Sequence, residues 1–574
     1  MFSFMRRLCS YGYNILYGFI TLLILFSPIY TFSQDYPKKD FIAPVKIPIT
    51  TSGTFAEMRS NHFHSGFDIR TGGKIGELVF CPFEGEVSRI KVQAFGGGKN
   101  LYVSHTNGFT TVYMHLDSYY GAIGEFVRDY QYAHKTYEFD VQVPKGRLML
   151  KQGDTIALSG NSGSSAGPHL HYEIRDTRTE NIINPLFFGL ELMDTIPPEL
   201  LMIKLLQQNI SYKLNPKEGE LGIKEFDTLF VDWDFSLGIT ALDRSNDCSG
   251  NNGVYEYNLY VDDALFWNFR VDEFSFNDSR YVNACIDYYS LEKDRQRVLV
   301  TRKLPNNSFR DFKTFDNQGV ISIQEEDFKT LRFELKDFAG NTKNFTFYVI
   351  ARCNQVGDSL GEIDNYRKLI SWSKNNVFDT SGIQVIIPKG ALYEDNKLYY
   401  SLDTIGKRVC HNVYSPAFLH KDMTIKIDIP ENIVDNKQFI SKLVIAELSN
   451  KKLEHIGGRI EKGVIVAKTK LFGRFTLALD TIAPTIISRN IKKNKRIANN
   501  QKHLIFRISD NLSGIKSYNG FLNGQWILFE YDGKRASIVC DLDSMRLKRG
   551  KNKLLIKLVD AVGNSTNKEF EFIY

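Results

Sequence analysis

The sequence predicts a mainly all-β protein built of several modules, and three observations carry that expectation. Aromatic residues are abundant, with 42 Phe and 29 Tyr, and large rings suit the pleated, half-buried surface of a strand. Short alternating runs recur between Gly, Pro and Asn turns, as in "SGIQVIIPKGAL" and "MTIKIDIP". One strand–turn–strand segment occurs twice. At 574 residues the chain exceeds a single core, and roughly three to five domains are expected.

Residues 1–33 read as a secretory signal peptide. Arg6 and Arg7 precede an apolar stretch from Asn14 to Phe32, and Thr31 and Ser33 are small residues suited to a cleavage site. The stretch is nearly long enough to span a bilayer. Pro28 and the polar exit favour cleavage after Ser33 over an uncleaved anchor. No second span follows. The expected location is therefore outside the cytoplasm, in the periplasm or outer cell envelope or secreted, with membrane contact only through this segment if it stays uncut.

The chemistry concentrates in residues 34–193. Seven of the 11 histidines lie between residues 62 and 171. In "GPHLHYEIRD", Gly167 to Asp176, strand alternation puts His169, His171 and Glu173 on one face and Leu170, Tyr172 and Ile174 on the core side. Two imidazoles and a carboxylate are costly to bury without partners. A solvated face and a metal or catalytic site both fit this stretch alone. Upstream, "NHFHSGFDIRTG" sets His64 and Asp68 four apart with Gly66 between them, on one side of a kinked strand end. "TTVYMHLDSY" lets His115 alternate out of an apolar strand.

Taken together and in this order, "HSGFD", "YMHL" and "GPHLH" resemble the H-x-G-x-D, Y-x-H-L and G-x-H-x-H motifs of the LytM/lysostaphin-type zinc metallopeptidases, peptidase family M23. Flanking "GKIGELVFCPFEGEVSRI", "LKQGDTIALSGNSGSSAG" and "NPLFF" match as well, so the resemblance covers residues 55–190, roughly a quarter of the chain. It implies an antiparallel β-sheet peptidase domain with one Zn²⁺ per chain, held by His64, Asp68 and His171, and with His115 and His169 as the catalytic pair. It also implies peptidoglycan as the substrate. Two imidazoles and a carboxylate with an open fourth position suit a catalytic zinc, and histidines suit proton transfer near neutrality. Which of the pair is the base stays open. Glu173 either orients a ligand imidazole or is a solvated carboxylate, and His62 fits no ligand position. The departure from the family is an insert, residues 121–147, where the usual connection is shorter. It is expected either as a flap over the groove or as an excursion packed on a β module. The peptidase core is expected to close upstream of Asp194.

Residues 194–353 and 480–574 read as duplicated immunoglobulin-like β-sandwiches. "DTIPPEL" at Asp194 and "DTIAPTI" at Asp480 open the copies. "LKDFAGNTKNFTFYVI" and "LVDAVGNSTNKEFEFI" close them, each a strand, a D-x-x-G-N turn and a second strand. Residues 354–479 read as a further β-sandwich module without a chemical motif, and its histidines are ordinary surface or core residues.

Composition excludes little else. Net charge is +6 and pI about 8.6. The dense basic run, Ile491 to His503, reads as a solvated loop, and nothing resembles a nucleic-acid module. Six cysteines follow the signal, with no C-x-x-C pair, so a zinc ribbon is unsupported; disulfides and buried thiols are equally open. Oligomeric state is not legible. The competing reading is a non-catalytic envelope scaffold or adhesin that uses the peptidase fold for binding. Degenerate relatives lose a ligand or catalytic residue, and all five are present here.

Overall fold

The structure is a computed structural model. It describes residues 36–574 apart from 218–219, 247–249, 352–365, 381, 407, 435, 492–495, 499–500 and 543–546. The signal segment, Cys248 and Cys353 lie outside the described residues, as does part of the basic run. Strands account for 48% of the structure and helices for 8%, the mainly β composition expected. No helix among the described residues is long and apolar enough to cross a membrane.

The first domain is built on one antiparallel sheet. Its principal strands are β1 (Thr51–Gly53), β2 (Phe67–Arg70), β3 (Gly85–Val92), β4 (Lys99–His105), β5 (Phe109–Met114), β6 (Phe139–Gln142) and β7 (His169–Asp176). They lie in the order β1-β2-β7-β5-β4-β3-β6. β7 is central, pairing with β2 on one side and β5 on the other. Its alternation holds on the core side: Leu170, Tyr172 and Ile174 are buried with Ile69, Leu101, Val103 and Tyr113.

The insert has secondary structure of its own. Helix α1 (Gly121–His134) buries Ile123, Val127 and Gln131, and β6 extends the sheet along β3. Its polar and aromatic character comes from a surface shared with the last module. Tyr132 meets Trp526 edge-on at 5.4 Å, and one cavity is lined by Lys135 to Glu138 together with Lys516 to Gly520.

The first domain has an apolar core of its own, drawn from residues 41–190, and also lends side chains to the following module. Phe55, Phe63 and Ile182 belong to the apolar core of the following module. Phe63 stacks on Phe309 at 4.8 Å, and the strand Ile182–Ile183 pairs with Glu273–Phe274. These contacts add an interface with the following module to the core that lies upstream of Asp194. An apolar run in sequence does not specify which sheet will cover it.

Beyond it the chain forms pairs of sheets around shared cores. Residues 199–351 contain a four-stranded and a six-stranded sheet, residues 368–479 a six- and a five-stranded sheet, and residues 485–573 two four-stranded sheets. The two closing hairpins match in register and in their turns: Phe328–Lys336 pairs with Thr342–Ala351, and Lys551–Asp560 with Ser565–Ile573. Gly340 (φ 98°) and Gly563 (φ 83°) supply the left-handed residue of each turn. The asparagine that follows ties the turn to the opener of its module. Asn341 and Asn564 donate their amides to the carbonyls of Asp194 and Asp480, at 3.2 and 2.9 Å. Cys81, Cys285, Cys410 and Cys540 are free and buried.

Candidate active site

The site forms where β2 and β7 lie side by side. Antiparallel pairing sets His171 directly opposite Asp68. His64 stands just before β2, and the chain between it and Asp68 passes so close to β7 that a Cβ at Gly66 would lie 2.6 Å from the Tyr172 carbonyl and 2.7 Å from His171 Nε2. That approach requires the glycine of "HSGFD".

Three ligand-type atoms converge. His64 Nε2 lies 3.1 Å from Asp68 Oδ1, His171 Nδ1 lies 2.8 Å from the same oxygen, and the two ring nitrogens are 3.1 Å apart. The opposite ring nitrogens are committed. His64 Nδ1 sits 2.7 Å from the carbonyl of Thr54, which can only accept, so Nδ1 carries the proton. His171 Nε2 donates to Glu173 Oε1 at 3.1 Å. In the neutral rings the inward nitrogens therefore carry lone pairs. Three lone-pair atoms facing one another repel unless a cation or protons lie among them. Their separations approach the spacing of about 3.3 Å that tetrahedral zinc with bonds of about 2.0–2.1 Å imposes. The donor set fits zinc.

The same contacts set the electrostatics of the site when no cation is present. His64, Asp68 and His171 are 6%, 7% and 5% exposed, and Glu173 is fully buried. Burial raises the Asp68 carboxyl, but the charge of His64 and hydrogen bonds from His169, His171 and His64 hold it well below its ordinary value. Burial likewise works against the imidazolium of His171, yet Asp68 and Glu173 push its pKa up to about 9. Glu173 is itself held down to about 2, against its burial, by Arg175 and His171. Its other oxygen accepts from the Arg175 guanidinium, 2.8 Å from Nε. Glu173 is thus a buried support for His171, and the solvated alternative is set aside.

His115 and His169 face the same centre from the cleft side, their rings 4.9 Å apart. His169 donates Nδ1–H to the Gly167 carbonyl at 2.8 Å and brings Nε2 to 3.4 Å from Asp68 Oδ1. His115 follows β5 with φ 62°, a conformation costing on the order of 1 kcal/mol for a residue with a Cβ. Its backbone N–H donates to the Gly97 carbonyl, and Nδ1 to the Ser162 carbonyl at 2.9 Å. Burial, and then the neighbouring His171 and His169, lower its pKa to about 3, so it is neutral. All five residues line an open cleft of about 890 Å³ together with Arg59, Arg70 and the loop 164–168.

Of the other histidines of the domain, His62 lines the cleft without joining the cluster, and His105 and His134 stand apart. His62 is exposed and bonded to the Ser60 carbonyl at 2.8 Å. His105 is a core residue on Thr111 at 2.8 Å, and His134 stacks on Tyr130. No residue of the insert 121–147 lines the cleft, which corrects the flap reading. Sequence reasoning missed Arg59, whose guanidinium lies 3.3 Å from Glu57 and 3.4 Å from Asp68. It also missed Thr54 and Arg175, which act through single bonds that no motif records.

Residues 367–480 match the Zu5-like domain family. The chain is 33% identical over 123 residues to an uncharacterized metalloprotease of Haemophilus influenzae, covering 21% of this chain and 20% of that one. It is 31% identical over 111 residues to the peptidoglycan DD-endopeptidase ShyB of Vibrio cholerae, covering 19% and 20%. A zinc-containing peptidase structure from Vibrio cholerae aligns at 23% identity over 27% of this chain and 40% of that one, with a TM-score of 0.19. The chain spans about a fifth of the length of the curated relatives it matches. The matches to relatives named as a metalloprotease and a peptidoglycan DD-endopeptidase bear out the M23 resemblance read from the motifs.

Proposed function

We propose that this protein is an exported zinc-dependent endopeptidase that hydrolyses peptide cross-links or stem peptides of bacterial peptidoglycan. The observation that carries the reading is the convergence of His64 Nε2, Asp68 Oδ1 and His171 Nδ1 within 2.8–3.1 Å, with two further imidazoles on the open side. Relatives named as metalloproteases and peptidoglycan DD-endopeptidases support it.

His64, Asp68 and His171 would hold one zinc. When bound, zinc lowers the pKa of water to about 7 and polarises a carbonyl. The rest falls to the chain's own side chains. Thr54 and Glu173 fix the tautomers of the two ligand imidazoles, so neither ring must reorganise to present its lone pair. His115 and His169 each commit Nδ1–H to a carbonyl, which leaves Nε2 to take a proton from the nucleophile or give one to the departing amine.

The deciding experiment digests purified peptidoglycan with the zinc-loaded protein and identifies new amino and carboxyl termini by mass spectrometry. New termini that are absent with the His169→Ala variant are expected. A digest indistinguishable from the untreated wall would overturn the proposal.

A further inference from the structure

Each repeated module closes on three aspartates. They are Asp194, Asp243 and Asp337 in one copy and Asp480, Asp510 and Asp560 in the other, and within each set one oxygen per residue lies within 4.8 Å of the others. The members come from matching places: the opener, the end of an early strand (Leu237–Leu242 or His503–Ser509) and the D-x-x-G-N turn.

Some of these oxygens are held by the backbone. Asp337 Oδ1 accepts from Gly340 and Asn341, both at 2.8 Å. Asp560 Oδ1 accepts from Val562 at 3.0 Å and Asn564 at 2.7 Å. Asp480 Oδ2 and Asp510 Oδ2 accept from Ser513 and Gly514, both at 2.9 Å. Asp337 Oδ2 and Asp560 Oδ2 accept from the side-chain amides of Asn341 and Asn564, both at 2.7 Å, and Asp194 Oδ1 from the Ile196 N–H at 3.0 Å. Asp243 Oδ1, Asp480 Oδ1 and Asp510 Oδ1 are buried without a hydrogen-bond partner, and so are Ser245 Oγ, Asn252 Oδ1 and Ser513 Oγ beside them. Asp243 is 6% exposed and Asp480 fully buried.

Nearby cations are engaged elsewhere. Arg244 pairs with Glu199 at 2.7 Å, and Lys442 donates to the Val562 carbonyl at 2.8 Å. Buried carboxylate oxygens without a partner, beside two more carboxylates, are strongly disfavoured unless a cation joins them or they take up protons. The same arrangement built twice in one chain makes a chance origin hard to sustain.

We propose that each cluster is a calcium site, one per repeated module and separate from the His64–Asp68–His171 centre. The donors are all hard oxygens: carboxylates, with an amide oxygen or hydroxyl alongside. Calcium takes six to eight such ligands in irregular geometry, whereas magnesium demands a regular octahedron and keeps its waters. Nitrogen and sulfur donors that would select zinc are absent from the two sets.

Both sites sit at module junctions. Asp194 and Asp243 line one cavity with Phe55, Leu190 and Phe338, where the chain leaves the first domain. Asp480 ends the middle module, where Leu512 and Val562 pack on Val444 and Ala446. Bound calcium would tie each opener to its closing turn and stiffen both junctions.

The test uses the full chain, stripped of metals with EDTA and reloaded with one equivalent of zinc, then titrated with calcium chloride by calorimetry. Two calcium ions per chain are expected. Asp243→Asn and Asp480→Asn should each bind one and the double variant none. Calcium should raise the melting temperature of the wild type and leave that of the double variant unmoved. No uptake by the wild type at millimolar calcium, or two ions still bound by the double variant, would overturn the proposal, as would magnesium being taken up in preference. Should a variant fail to fold, the wild-type stoichiometry alone decides.

Discussion

Lys534 of the last module donates its ammonium to the carbonyl of Ser165, 3.0 Å away and 369 residues distant in sequence. Ser165 in turn lies 3.2 Å, through its hydroxyl, from His169 Nδ1. The same ammonium bonds the Asn161 carbonyl. The turn between the strands Glu530–Asp532 and Ser537–Asp541 thus grips the loop that presents a proposed catalytic imidazole. Lys534→Ala should lower turnover while zinc content holds, and by less than the roughly 10²-fold that loss of His169 itself brings. Steady-state kinetics with metal analysis checks this; unchanged turnover would show the contact to be passive.

Changing His64, Asp68 or His171 to Ala should remove zinc and hydrolysis together, because the set contains no spare ligand. His115→Ala and His169→Ala should keep the metal and lose about 10²-fold or more in turnover. Elemental analysis beside kinetics separates the two groups. Full zinc in a variant of the first group would refute that residue's role.

Glu173→Gln keeps the shape but removes the charge that accepts from His171 at 3.1 Å and faces Arg175. Loss of such a support costs about 10–100-fold in metal affinity. A competition titration against a zinc chelator measures it. An unaltered affinity would mean that the His171 tautomer is set without Glu173.

Phe63 is fully buried in the core of the module after its own. Phe63→Ala should destabilise the protein by about 3–5 kcal/mol. A fragment ending before Asp194 should be poorly folded, since Phe55, Phe63 and Ile182 would face water. Denaturant melts of the variant and the solubility of the fragment test this. A stable, zinc-loaded fragment would show that these rings need no partner sheet.

The insert should act through its neighbour. Tyr132→Ala removes the contact with Trp526 and should raise proteolytic sensitivity of the last module without altering cleavage of a short peptide. Reduced cleavage of that peptide would return the insert to the site.

Local pattern was enough to read much of this protein. Period-two alternation in "HLHYEI" places His169, His171 and Glu173 on one face and Leu170, Tyr172 and Ile174 in the core, because a strand permits no other arrangement. The spacing of "HSGFD" marks His64 and Asp68 as partners, and the two D-x-x-G-N closers expose the duplication. What depended on distant segments was decided only by the tertiary structure. The pairing of Asp68 with His171 requires β2 to lie beside β7. Thr54 and Glu173 select the tautomers through single hydrogen bonds. The module whose core buries Phe63, the module that covers the insert and the lysine that holds Ser165 all lie more than a hundred residues away, and no local periodicity carries that information. The aspartate triads belong with these: six acidic residues scattered along the sequence become two buried clusters only when opener, strand end and closing turn meet in space.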